Sequence, residues 1–340
     1  MDIQNRKELR ETAKNKLENS ESAVKIALIY AAVIVGASLL TNLVQLLLDG
    51  KISQAGGLSN RGLRSMLSTI QTMLPMILNF LMMGLGLGFT GAMLRISRGQ
   101  FTSLNSMKIG FERFWVLLRA TLLQGGLYLL AGMASYMISM QIFFLTPMSR
   151  GLLSAMAPAL QSGTADVFSL LENPAVLDQM MHSLIPLYIL MLVIFLAVAA
   201  PIYYRYVLVP YLLIDRPGMG ALMAMHDSRM MMKKKAMLFF KLDLSLWPYY
   251  LASFLSLLIG FGASILALLG IETSLSPMTL SLTCFGISLL ITFLTTWLLQ
   301  PHLEVTHALA YASLLPRQQP DGGVVLGNIF DLAKDQMDQY

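Results

Sequence analysis

The chain has 340 residues, of which 56% are hydrophobic and only 13% charged, with 24 lysines and arginines against 19 aspartates and glutamates. A soluble domain is about one quarter charged and under half apolar, so this chain lacks the polar surface to coat a water-soluble particle and is expected to be an integral membrane protein. A net charge of +5 is too small to argue for nucleic acid, and the single cysteine, Cys284, excludes an internal disulfide framework or a thiolate metal cluster.

In chain order, residues 1–22 come first as a polar lead-in. Leu9, Ala13 and Leu17 recur every four residues amid Lys, Arg and Glu, the pattern of an amphipathic helix lying on the inner membrane surface; a solvated, charged lead-in fits the same residues. Asn19 to Ser22 ends that segment and can cap the first membrane span. So long a polar stretch before a full-length apolar run does not match a cleavable signal peptide.

A membrane helix needs about 20 mostly apolar residues. Six charge-free runs meet this: Ile26–Leu48, Met66–Leu94, Ala120–Ser149, Ser183–Tyr204, Leu244–Ile271 and Thr273–Pro301. Pro75 lies early in the second run, so that helix is predicted to begin near it. The outer loop from Thr146 to His182 carries Leu152, Met156 and Leu160 at helical spacing, and Asn173-Pro174 forms a helix start. Glu272 separates the last two runs, with Ser276-Pro277 marking a hairpin. The expected fold is all-α: a polytopic membrane protein of six transmembrane helices with interfacial amphipathic helices. It divides into an amphipathic cytoplasmic segment (1–22), a six-helix transmembrane domain (23–315) and a flexible cytoplasmic tail (316–340), the tail holding at most one short helix, Asn328–Met337.

Positive charge sets orientation. With the N-terminus inside, only Lys51, Arg61, Arg64 and Arg150 of the 24 lysines and arginines fall outside. Both termini are therefore expected in the cytoplasm of a multi-pass protein of the cytoplasmic membrane.

The two inner loops share a plan. In the first, Arg98-Gly99 precedes Leu104, Met107, Phe111 and Leu118; in the second, Arg216-Pro217-Gly218 precedes Leu222 and Met225, then Ser228 and Lys233-Lys234-Lys235. Arg98 and Arg216, Leu104 and Leu222, and Met107 and Met225 are each 118 positions apart. Either a parallel internal repeat or two unrelated interfacial helices produces this. Arg229, Lys233, Lys234, Lys235 and Lys241 are the candidate contacts for anionic lipid headgroups.

Other constellations have plainer explanations. Gly84, Gly86, Gly88 and Gly91 echo a nucleotide-binding pattern, but no strand precedes them, so they are read as close-packing positions, as are Gly125-Gly126, Gly132 and the Ser256, Gly260, Ser264 series. The 25 methionines fill gaps rather than form a copper array. His302, Glu304 and His307 follow the sixth run; the two His diverge by about 140° on a helix, so a surface cluster is expected rather than a metal site. The membrane region is short of ionisable groups. Its deepest polar residues, Asn42, Gln45, Asn79 and Gln124, serve interhelical hydrogen bonds or line a cavity.

Three segments resemble a bacterial integral membrane family, domain of unknown function 975. They are Asn5-Arg6-Lys7-Glu8-Leu9 with Ala13-Lys14 and Leu17; Ser228, Met232 and Lys233 with Phe240-Lys241-Leu242-Asp243-Leu244-Ser245; and Thr306, Ala308 and Tyr311. Lys234 stands where that family tends to have Gly. The family is similar to the membrane portions of some glycerophosphodiester phosphodiesterases, whose soluble catalytic domain this sequence lacks. The resemblance implies a six-helix membrane protein without an established activity.

No catalytic set, cofactor or metal site is expected. The leading reading is a non-enzymatic membrane protein whose loops organise membrane lipids or a membrane-protein partner, another copy of the chain included. The alternative is a transporter or exporter component for an amphipathic solute. A cavity lined by Asn79 and Gln124 would favour transport, and a solid Gly-packed bundle the organiser.

Overall fold

The computed structural model describes residues 5–54, 61–151, 153–154, 174–268 and 276–315. The expectations for Leu152, Met156, Leu160, Asn173, Glu272 and Asn328–Met337 lie outside them. Among the described residues the chain is helical, with no strand. The helices are α1 (Arg6–Glu18), α2 (Glu21–Gln54), α3 (Arg61–Ser97), α4 (Ile109–Glu112, led by a 3-10 turn over Leu104–Lys108) and α5 (Phe114–Leu145). After them come α6 (Pro174–Tyr206), α7 (Val209–Asp215), α8 (Ala221–Met232), α9 (Ala236–Ser245), α10 (Trp247–Gly260), α11 (Gly262–Leu268), α12 (Pro277–Leu294) and α13 (Gln300–Leu314).

Among the described residues, five stretches are long and apolar enough to cross a membrane: Glu21–Leu48, Ser65–Ser97, Phe114–Leu145, Leu184–Asp215 and Met278–Leu314. A sixth span exists if α9 and α10, bent by 70° against each other, are counted as one. The fifth expected run is thus not one straight helix. Pro248 sits in the first turn of α10; without an N–H it cannot bond the carbonyl four residues back, and its ring crowds that carbonyl, so the helix breaks at Leu246. Pro75 behaves differently from expectation. It lies inside α3, which begins at Arg61, because packing and local adjustment in a membrane helix accommodate a proline. At Thr295–Leu299 the last span widens into a π turn, with Pro301 in the first turn of α13.

The packing is uneven along the bundle. One large core gathers α1, the ends of α2 and α3, both inner-loop cassettes, α7 and α13, on the side that carries most of the basic residues. Towards the other end the spans expose rows of Leu, Ile, Val and Met, which suit a lipid surround. A small second cluster joins α5 and α6 through Phe143 and Leu187.

Helix α1 departs from the picture of a helix lying on the membrane. Asn5 caps it, accepting from the Glu8 N–H at 3.3 Å while its own amide reaches the Glu8 carboxylate at 2.8 Å, a reciprocal cap. Leu9 and Ala13 are fully buried and Leu17 nearly so, and the helix packs chiefly on α13. Its apolar stripe is covered by protein, not by lipid. Asn19 ends it and α2 starts at Glu21, as the sequence indicates.

Glycines set the closest approach. A Cβ on Gly88 would run into the Met107 carbonyl, and one on Gly110 into the Gly84 carbonyl and the Gly88 backbone. The backbone against Gly88 is therefore the cassette turn, whereas Gly86 meets the Tyr30 hydroxyl of α2 at 3.5 Å. Gly125 and Gly126, expected to pack closely, face open space, and Gly132 meets only the Phe195 ring at 3.9 Å. The Ser256 and Gly260 expectation holds: Ser256 and Ser288 exchange hydroxyl-to-carbonyl bonds of 2.9 Å between α10 and α12, and Gly260 abuts Ser288. Ser264 is exposed and takes no part in that contact.

The matched loop positions also match in burial. Leu104 and Leu222 are exposed, whereas Met107 and Met225 are buried. Gly110 and Ser228, also 118 apart, each meet the end of the preceding span, Gly110 through Gly84 and Gly88, Ser228 by donating to the Arg205 carbonyl at 2.9 Å. In both units a span, a turn, a short docked helix and a returning span occur in the same order.

Candidate functional site

The first candidate surface is the edge built by α8 and α9. Arg229, Lys233, Lys234, Lys235 and Lys241 are all exposed on it. The turn between the helices needs a left-handed residue, and Lys234 adopts it with φ 66°, the conformation that glycine takes without strain. The apolar residues of this edge face two ways. Met225, Met232, Phe239 and Leu242 are buried in the core, while Leu222, Met223, Met230, Met237 and Phe240 are exposed. Met225 and Met232 anchor the helix to the protein. A rigid mount thus presents alternating cationic and apolar side chains outward.

The second lies inside the bundle. His307 and Asp243 are both buried, with the imidazole Nε2 2.5 Å from a carboxylate oxygen, and the Tyr204 hydroxyl donates to the other oxygen at 2.9 Å. One helical turn back on α13, Glu304 accepts from the Tyr211 hydroxyl at 2.8 Å and bonds the Thr90 side chain. At the end of α7, Asp215 accepts from the Tyr311 hydroxyl at 2.9 Å and pairs with Arg98 at 2.7 Å. That hydrogen bond raises the Arg98 guanidinium still further above its usual range. Arg216, the matching arginine of the second loop, pairs with Asp227 at 3.2 Å.

Between Glu304, His307 and the neighbouring helices lies a cavity of about 200 Å³. Thr90 from α3, Gln124 and Tyr128 from α5, Tyr203 and Tyr206 from α6, and Tyr211 from α7 line it.

The model of a family described as Protein of unknown function (DUF975) matches residues 1–318. The chain belongs to this family. No curated protein and no solved structure matches it. The positions that carried the DUF975 resemblance converge in the packed side: Leu9, Ala13 and Leu17 seat α1, Ser228 pins the second cassette, and Asp243 and Tyr311 anchor the two hydrogen-bonded carboxylate clusters. Lys241 joins the same side through its carbonyl, which accepts from Arg6 at 3.2 Å.

The sequence-designated polar residues scatter. Gln124 reaches the cavity. Asn79 is exposed on α3, Asn42 is exposed and donates to the Ser38 carbonyl of its own helix at 2.8 Å, and Gln45 on α2 is half-buried away from the cavity lining. The expected surface cluster at His302, Glu304 and His307 is corrected, since His307 is 5% exposed and Glu304 faces the cavity. The reason is that α13 continues the last span and is covered by α1. Asp243, Tyr204 and Tyr211 were missed as polar partners. Their only sequence signal was the density of tyrosines at Tyr203-Tyr204, Tyr206, Tyr211 and Tyr249-Tyr250, since a buried Tyr hydroxyl needs a partner.

Proposed function

We propose that this DUF975 protein is a non-enzymatic protein of the bacterial cytoplasmic membrane, both termini inside, that organises anionic lipid along the α8–α9 edge. The supporting observation is the exposure of Arg229 and Lys241 on α8 and α9, and of Lys233, Lys234 and Lys235 in the turn between them, while the inner faces of both helices are locked into the core. Each basic residue near an anionic leaflet contributes about 1 kcal/mol of attraction, and exposed Leu222, Met230 and Met237 add burial in the headgroup boundary. Lipid held on a rigid edge is ordered, not merely attracted.

The test replaces Lys233, Lys234 and Lys235 with Gln. Orientation is checked by protease protection, and retained phosphatidylglycerol is compared by native mass spectrometry. Retention is expected to weaken by about 2–3 kcal/mol. Unchanged retention in a correctly oriented variant would leave these lysines a purely topological role. The alternative, a transporter component for an amphipathic solute, draws its support from the cavity that Gln124 and Glu304 line.

A further inference from the structure

Four tyrosines and one carboxylate meet in the interior cavity. Tyr128, Tyr203, Tyr206 and Tyr211 line it with Gln124 and Glu304. Tyrosine and threonine hydroxyls hold the Glu304 carboxyl group. Beside it, Asp243 is held by His307 and Tyr204. Even with His307 protonated, two carboxylates then face one imidazolium. Among the described residues, the lining includes no lysine or arginine.

A carboxyl group away from bulk water either stays neutral or is matched by a cation, and a cation entering from outside favours the ionised form. The chemistry of the lining selects the kind of cation. A hard metal ion requires six or more oxygens, usually from several carboxylates, and no group of three His, Cys, Asp or Glu able to hold a metal occurs among the described residues. Aromatic rings attract organic ammonium groups, and a tyrosine cage completed by one carboxylate is the arrangement that recognises them. A volume of about 200 Å³ has room for an ammonium headgroup but not for a whole lipid. Tyr203, 42% exposed, stands at the rim.

We propose that this cavity binds the alkylammonium group of an organic cation, carried by a free solute or by an aminolipid headgroup. The proposal is independent of the lysine edge, which would attract the opposite charge.

The full chain in phosphatidylglycerol nanodiscs is titrated calorimetrically with choline and ethanolamine, and with 3,3-dimethylbutanol as the uncharged isostere of choline. In a second arm, native mass spectrometry compares retained phosphatidylethanolamine with phosphatidylglycerol in mixed nanodiscs. Saturable binding of a free amine identifies a solute site; preferential retention of phosphatidylethanolamine alone identifies a headgroup site; either supports the proposal. Glu304→Gln should weaken the observed binding by at least about tenfold. Tyr203→Leu, at the exposed rim, should weaken it as well and carries the test if Glu304→Gln does not fold. The proposal is overturned if neither amine nor aminolipid binds, if the neutral isostere binds equally, or if the folded variants bind as the wild type does.

Discussion

Gly110 shows how much one missing methyl group can decide. Its backbone lies against Gly84 and Gly88, and any Cβ there would overlap the α3 backbone. Neither side can yield as a flexible side chain would, since both are main chain. Gly110→Ala is therefore expected to destabilise the folded protein by about 1–3 kcal/mol, the usual cost of overpacking. Gly125→Ala is the control, because nothing lies within 4 Å of its Cβ position and alanine in a helix interior gains about 0.5–1 kcal/mol over glycine. Thermal unfolding in detergent should move the two midpoints in opposite directions. A lowered midpoint for both would mean that α5 packs on something at Gly125.

At the scale of elements, α1 is the clearest case of context overriding pattern. Its Lys7–Glu11 and Lys14–Glu18 pairs, at 3.9 and 3.7 Å, are exposed and contribute at most a few tenths of a kcal/mol each. Burial of Leu9, Ala13 and Leu17 against α13 holds the helix. Burying a charge there without a partner is costly. Ala13→Glu should accordingly release α1, and backbone amides of 6–18 should lose hydrogen-exchange protection while those of α5 keep theirs. If α1 stayed protected in the variant, its attachment would have to rest on the membrane surface instead. The same undocking would uncover α13, the helix that carries Glu304 and His307.

Among the described residues, the large core lies where the charges gather, and towards the other end Leu, Ile and Met of the spans are exposed. Orientation is the property of the whole that charge alone argues. In a Cys284→Ala background, a cysteine at Ser53 should react with an impermeant label from outside intact spheroplasts, and cysteines at Ser103 and Ser228 only after permeabilisation; Ser228 is buried, so its labelling should also be slow. The reverse pattern would invert the topology.

What the sequence determined by itself was the class of fold and the rough location of its spans, because the hydrophobic thickness of a bilayer writes long apolar runs directly into the chain. It also marked the C-terminal end of α1 and the starts of α6 and α12, where Asn, Ser and Pro favour helix boundaries. Gln124 was legible as a polar residue at membrane depth because apolar neighbours surround it in the chain. The tertiary structure alone decided the rest. Asp243 and His307 are 64 positions apart, and Tyr211 and Glu304 are 93 apart, so no periodicity links them. Glu304 and His307 look like surface residues in sequence because they come after the last apolar run; docking of α1 and α7 turns the same residues inward. Likewise, glycine spacing identified a face of α3 that needs close contact, but not the partner. Which backbone fills that space depends on how the cassette folds back, and that is fixed by packing between distant segments.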